Sequence, residues 1–299
     1  HGPAGCGFMA SRMIEEAGIR VVTSSIKERD LIFGGTEPLV DTIRQAEKLF
    51  DPSSIAVIGT CASMIIGEDM DAAIKLSGVK CKTFSVDCHG CMGNNTSGAI
   101  RAIEAAGKAS LITDDEVRRQ TSILTEASKI ESESGMASKE YLRPSRGPTK
   151  LKVALRIKEV LENGGKVAVA MIAKKELAYR FADAFIAVDE AQRRLGGETF
   201  FIGNLDTGAG LPRIRRYAED ITGELGSKGI SICVEGGLDE YAFAGRKMRE
   251  KTEEFGPDLL ILAGMPHFYG AMGMSDILIT DQPRQLANYV SQGYEYAVC

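Results

Sequence analysis

The feature that most constrains this chain is a repeated switch between two hydrophobic periods. Short apolar runs, each ending in small or polar residues, alternate with longer stretches in which apolar side chains recur at helical spacing. A continuous apolar run of roughly four to eight residues reads as a strand buried on both faces, and a helix between two such runs returns the chain to start the next strand in parallel. On that basis Ile19–Ser24, Ser54–Thr60 and Lys82–Asp87 are expected strands, with helices over Glu37–Phe50, Glu68–Ser77 and Asn95–Ala106. From Thr113 to about Asn163 the alternation lapses. Helix-favouring, charged residues fill Asp114–Ser134, and Gly135, Pro144, Gly147 and Pro148 break the stretch beyond it. The pattern then restarts with strands at Lys166–Ile172, Thr199–Gly203, Ile230–Glu235, Leu259–Ala263, Ile277–Thr280 and Glu295–Val298, separated by helices such as Lys175–Leu195 and Asp239–Phe255. The expectation is an α/β protein with two parallel-sheet domains, residues 1–112 and 166–299, joined by a helical connector over 113–165. No tandem repeat is evident.

Composition serves mainly to exclude. A net charge of −5 over 299 residues argues against a general nucleic-acid binder, which would present a basic face. No apolar run approaches the roughly 20 residues that cross a bilayer, so no membrane partner is expected. The opening residues show neither the basic nor the apolar region of a secretion signal. Seven cysteines are an odd number, too few to staple a chain of this length, and fit a cytoplasmic protein whose thiols stay reduced.

Three cysteine motifs sit at turns. Gly2-Pro3-Ala4-Gly5-Cys6 lets the backbone turn tightly just before an expected helix at Ala10–Ala17, whose N-terminus favours a thiolate. Gly59-Thr60-Cys61-Ala62 lies at the carboxyl end of a strand, where doubly wound sheets keep their ligands. For both, a structural turn holding an inert cysteine is the competing reading. Glu68 and Asp69 come next, and favourable charge in a first helical turn accounts for them. Cys88-His89-Gly90-Cys91 has the spacing of a redox pair or of half a zinc site, although no second pair completes the latter. Cys81 and Cys233, within apolar stretches, read as small buried side chains. A P-loop, a Gly-x-Gly-x-x-Gly fingerprint and a Gly-x-Ser-x-Gly elbow are all missing, which argues against ATP hydrolysis on this chain, nicotinamide chemistry and serine hydrolysis.

Taken in order, His1–Cys6, Leu31-Ile32-Phe33-Gly34-Gly35 and the run from Gly59 to Asp69 resemble the cluster-binding half of nitrogenase component-1-like subunits. In the second half, Ala173-Lys174-Lys175-Glu176, Leu211-Pro212-Arg213, the run from Gly236 to Tyr241 and Pro283-Arg284-Gln285 are similar to one branch of that superfamily. That branch comprises the catalytic subunits of Ni-sirohydrochlorin a,c-diamide reductive cyclases, from coenzyme F430 synthesis. The resemblance implies Rossmann-like parallel-sheet domains of the nitrogenase component-1 type.

It also implies a [4Fe–4S] cluster held by thiolates from equivalent turns of two subunits. Carried onto this chain, the ligands are Cys6 and Cys61, in turns shaped by Gly5 and Gly59, with Cys88 and Cys91 as additional candidates. Two thiolates from each of two identical chains make the four such a cluster needs, so a homodimer is expected. Electrons would come from a separate P-loop reductase homodimer with its own [4Fe–4S] cluster, which alone would bind ATP and magnesium. The substrate would be a nickel tetrapyrrole with several acidic arms. Arg213, Arg215, Arg216 and Arg284 are candidates to grip those arms through the planar guanidinium fork. His89 and His267 are candidates to transfer protons near neutral pH. Competing functions are a divergent paralogue with another substrate, a scaffold on which a metallocofactor is assembled, and a colourless α/β binding module switched by Cys88 and Cys91.

Overall fold

Two runs of unbroken apolar sequence, Lys166–Ile172 and Leu259–Gly264, form adjacent parallel strands at the centre of the larger sheet. The structure, a computed structural model, describes residues 1–7, 19–88, 95–135, 147–175 and 177–299. It divides into two units, His1–Leu124 and Thr125–Cys299. The helix expected at Ala10–Ala17, together with His89, Cys91 and Glu176, lies outside the described residues.

In the first unit, β1 (Ser54–Gly59) and β2 (Lys82–Asp87) pair in parallel, from Ser54 opposite Lys82 to Gly59 opposite Asp87. Around them run α1 (Glu28–Phe33), α2 (Thr36–Phe50), α3 (Cys61–Ile65), α4 (Met70–Ser77) and α5 (Asn95–Lys108). Leu39, Val40, Ile43 and Ala46 share one face of α2 because residues three and four apart align on a helix. That face packs with Val57, Met70 and Ala73 into a small core, where each large aliphatic contributes about 1.5–3 kcal/mol.

Two expectations are corrected here. Ile19–Ser24 is not a strand. Its Thr23 and Ser24 hydroxyls bond Gly2 instead, and Ser25 turns into the left-handed region at φ 49°, so no ladder partner is reached. The helix expected at Glu68–Ser77 starts at Met70, because Asp69 accepts the Ala72 N–H at 2.9 Å and caps it.

In the second unit, six parallel strands are ordered β5-β4-β3-β6-β7-β8. They are β3 (Lys166–Ile172), β4 (Glu198–Gly203), β5 (Cys233–Val234), β6 (Leu259–Gly264), β7 (Ile277–Ile279) and β8 (Ala297–Val298). The chain winds outward from β3 to β5, returns to the middle at β6, and winds the other way to β8. That leaves a switch point between β3 and β6, the place where open α/β sheets bind ligands beyond the carboxyl ends of their strands. The outermost strands are shorter than the sequence suggests, two residues each for β5 and β8.

The helices of this part are α6 (Asp114–Ser134), within which the division between units falls, α7 (Thr149–Glu162), α8 (Ala178–Leu195), α9 (Pro212–Ser227), α10 (Tyr241–Phe255), α11 (Pro266–Tyr269) and α12 (Pro283–Ser291). Side chains from β3 and β6 feed the cores on both faces of the sheet. Gly264 ends β6 at φ 114°, and a Cβ there would stand 1.9 Å from the Ile172 carbonyl oxygen, so only glycine lets the two central strands finish side by side. Among the described residues, no helix is long and apolar enough to cross a membrane.

Candidate functional site

The two cysteine turns of the first unit are neighbours. Residues 4–7 form a helical turn in which the Cys6 N–H donates to the Pro3 carbonyl at 3.1 Å. Cys61 opens α3, with Thr60 as the preceding cap residue and Ser63, fully buried, closing the turn through its hydroxyl on the Thr60 N–H at 2.9 Å. The segments join directly: the Thr60 N–H donates to the His1 carbonyl at 3.0 Å, and the Ser63 hydroxyl reaches the same oxygen at 3.3 Å. Gly2 allows this approach, since a Cβ on it would meet the Thr60 side chain at 2.2 Å. Gly2 is itself held on its other side by the Ile26 N–H and the Ser24 hydroxyl, each at 3.1 Å.

Gly59 abuts the flexible end of Met70, whereas Gly5 faces open space, so the sequence argument for a tight glycine belongs to Gly2 rather than Gly5. Cys6 is exposed, Cys61 is half-buried, and neither is in a disulfide. Large apolar side chains also stand on the surface of this unit: Ile32 is 76% exposed, Phe33 82% and Ile65, in the same helix as Cys61, 83%. Cys6 also lines an apolar cavity of about 710 Å³ with Val22, Ile43 and Phe84.

Glu68, expected from the sequence to serve a first helical turn, does something else. Its Oε1 accepts the Gly35 N–H, its Oε2 accepts the Thr36 hydroxyl at 3.0 Å, and the His1 ring lies 3.9 Å away. Cys88 follows β2 directly, beside the first turn of α5, where a Cβ on Gly98 would lie 3.7 Å from its sulfur. Among the described residues, no three Cys, His, Asp or Glu converge on one point. Cys6 and Cys61 by themselves are thus not a complete donor set for a metal centre.

In the second unit the parallel sheet brings together residues far apart in sequence. Every helix that follows a strand starts at the carboxyl edge, so Arg213 and Arg216 in the first turns of α9, and Arg284 in the first turn of α12, share that edge. α9 follows β4 and α12 follows β7, three strand spacings apart, or roughly 14 Å. Arg284 and Arg216 are exposed. The Arg213 Nε donates to the Tyr217 hydroxyl at 3.0 Å, which restrains it.

His267 follows β6, at the switch point, with its ring only 2% exposed. The Gln285 amide nitrogen donates to the Ser134 carbonyl and stands 3.1 Å from His267 Nδ1, each contact at the same distance. A carbonyl only accepts, so that amide atom is the nitrogen, and its second N–H faces Nδ1 as the acceptor. The ring proton then sits on Nε2, which faces Glu131 Oε1 at 3.4 Å; Lys174 Nζ approaches the same oxygen at 3.5 Å. The His267 contact, with help from Lys174, outweighs burial and holds the Glu131 carboxyl below the usual range. Lys174 also lies 5.0 Å from the centre of the Tyr241 ring. Glu131 carried no signal in the sequence, because its partners are 43 and 136 positions away.

Comparison with known proteins bears on both regions. The model of the family "Nitrogenase component 1 type Oxidoreductase" matches residues 1–144, which include both cysteine turns. A protein of Methanothermobacter thermautotrophicus described as "Ni-sirohydrochlorin a,c-diamide reductive cyclase complex, component CfbD" is 39% identical over 303 residues, covering 100% of this chain and 84% of the relative. The chain belongs to this family. A second member, from Methanosarcina acetivorans and bearing the same description, is 40% identical over 308 residues, covering 100% of this chain and 83% of its own. A solved chain titled "Nitrogenase Cp1 at pH 6.5" aligns over 98% of this chain and 87% of its own at 13% identity and a TM-score of 0.34, too loose a likeness to argue from.

Proposed function

We propose that this chain is the catalytic component of a Ni-sirohydrochlorin a,c-diamide reductive cyclase, with Rossmann-like domains of the nitrogenase component-1 type. It takes electrons from a separate ATP-dependent reductase, reduces a nickel tetrapyrrole and closes a ring on one of its side chains. The observation that carries this reading is the pairing of the Cys6 and Cys61 turns through Gly2 and Thr60, in a member of an oxidoreductase family.

The donor set fits an iron–sulfur cluster. Two thiols on adjacent turns, one of them exposed, suit soft iron ligation, and a second copy of the chain completes four. The exposed Ile32, Phe33 and Ile65 suit a face that another subunit covers. When bound, a [4Fe–4S] cluster supplies one-electron transfer at low potential. Cys88 and Cys91 are reserve ligands, and His89 is a proton donor in the same motif.

At the carboxyl edge of the second unit, Arg213, Arg216 and Arg284 bind the acidic arms of the substrate. The strands that these helices follow stand roughly 14 Å apart, on the scale of a tetrapyrrole with its side chains. His267, fixed through Nδ1 by Gln285 and with Nε2 facing Glu131, is the proton donor there, beside Lys174.

Anaerobic purification tests the reading. The protein is expected to be brown, with about two iron and two sulfide per chain for a Cys₄ cluster shared by two copies. With the cognate reductase and ATP it should convert Ni-sirohydrochlorin a,c-diamide. Full iron content in Cys6→Ala or Cys61→Ala would remove the ligand assignment, and an iron-bearing protein without turnover would instead favour an assembly scaffold.

A further inference from the structure

Glu68 is a buried carboxylate, its side chain only 4% exposed, in a loop where charge in a helical first turn does not account for it. Asp69 already caps α4. An ionised group taken out of water costs several kcal/mol unless its partners compensate, so its contacts indicate what it is kept for. Both oxygens accept hydrogen bonds at the start of α2, from the Gly35 N–H and the Thr36 hydroxyl. The backbone N–H of Glu68 donates to the Ser63 carbonyl at 3.0 Å and closes the far end of α3. The His1 ring rests between these groups, with Nδ1 2.8 Å from the Ser24 hydroxyl that also accepts the Gly2 N–H.

Resting on the cluster reading above, we infer that Glu68 is a positioning residue for the cluster ligands, tying α2, α3 and the His1 ring together and so setting the separation of Cys6 from Cys61. Cys61 opens a helix of only five residues, and an element so short does not persist without tertiary contacts. The contacts that hold both turns converge on His1, whose carbonyl takes the Thr60 N–H and whose ring faces Glu68. Negative charge on a carboxylate that faces the same His1 disfavours adding an electron to a cluster held on these turns.

The test uses the full chain, reconstituted anaerobically, as wild type and as Glu68→Gln, Glu68→Ala and Asp69→Ala. Iron per chain, the electron paramagnetic resonance spectrum of the reduced state and the midpoint potential are measured. Glu68→Gln keeps the shape and one acceptor oxygen; it should retain iron, change the spectrum, and shift the one-electron equilibrium toward reduction by roughly tenfold, about 59 mV. Glu68→Ala should lose at least half of the iron. Asp69→Ala weakens the α4 cap and should leave spectrum and potential as in wild type, which separates positioning from general stability. Wild-type spectrum and potential in Glu68→Gln would overturn the inference, and this holds even if Glu68→Ala fails to fold. A wild-type chain that takes up no iron would overturn the cluster reading and this inference with it.

Discussion

Substituting Gly2 by alanine tests the juxtaposition on which the candidate site depends. The added Cβ would lie 2.2 Å from Thr60 Oγ1, about 1.2 Å inside the ordinary contact distance of 3.4 Å, and 2.5 Å from Thr60 Cγ2. Thr60 is β-branched, so rotating it exchanges one clash for the other. It also follows β1 directly and holds the His1 carbonyl through its N–H. The strain is relieved by separating the cysteine turns. Overpacking of this kind costs about 1–3 kcal/mol, enough to lower the thermal midpoint by several degrees in a unit of this size.

The assay pairs calorimetric or dichroism melting with iron content after anaerobic reconstitution. Gly2→Ala is expected to lose stability and most of its iron together. The double variant Gly2→Ala with Thr60→Ala removes the two nearest clashing atoms, leaving only the Thr60 Cβ at 2.9 Å, and should recover at least half of each. Its coupling energy should be about 1 kcal/mol or more, as for residues in direct contact. The Thr60 hydroxyl makes no hydrogen bond of its own, so Thr60→Ala alone is mild. Wild-type iron and melting in Gly2→Ala, or no recovery in the double variant, would refute the argument that Gly2 brings the turns together.

The second unit yields further expected outcomes. Gln285→Leu strands His267 Nδ1 and the Ser134 carbonyl without a donor, and should cost about 2–3 kcal/mol by chemical denaturation. Glu131 has a folded-state pKa below its unfolded value, so its pairing stabilises the fold fully above the usual glutamate range and is lost as pH falls through the folded-state value. Denaturation monitored from about pH 6 down to about pH 3 should therefore show a shallower acid loss in Glu131→Gln than in wild type. Arg284→Ala should weaken binding of a carboxylate-bearing nickel tetrapyrrole by about tenfold, measured by absorbance titration, and leave melting unchanged because the side chain is exposed.

The α/β class was legible because buried parallel strands have to be apolar on both faces. Lys166–Ile172 and Leu259–Gly264 announce themselves by composition alone, and their helices by the spacing of apolar residues. Ile19–Ser24 carries the β-branched residues of a strand and still fails as one, since a strand exists only with a ladder partner and this segment's hydroxyls turn to Gly2. The cysteine turns could be singled out from local motifs, because glycine and cysteine at the end of a strand are a local signal. That those turns touch could not be read from either motif.

The amino-acid sequence by itself determined the parallel α/β architecture, the cysteine motifs and the family, all of which rest on short-range patterns or on matching residues in order. Only the tertiary structure decided that Gly2 rather than Gly5 is sterically required, that Glu68 holds the start of α2 while Asp69 caps α4, and that Glu131 and Lys174 meet at His267. The physical reason is the same in each case. Those relations depend on which side chain fills the space beside a distant backbone, and strand order and packing set that neighbourhood.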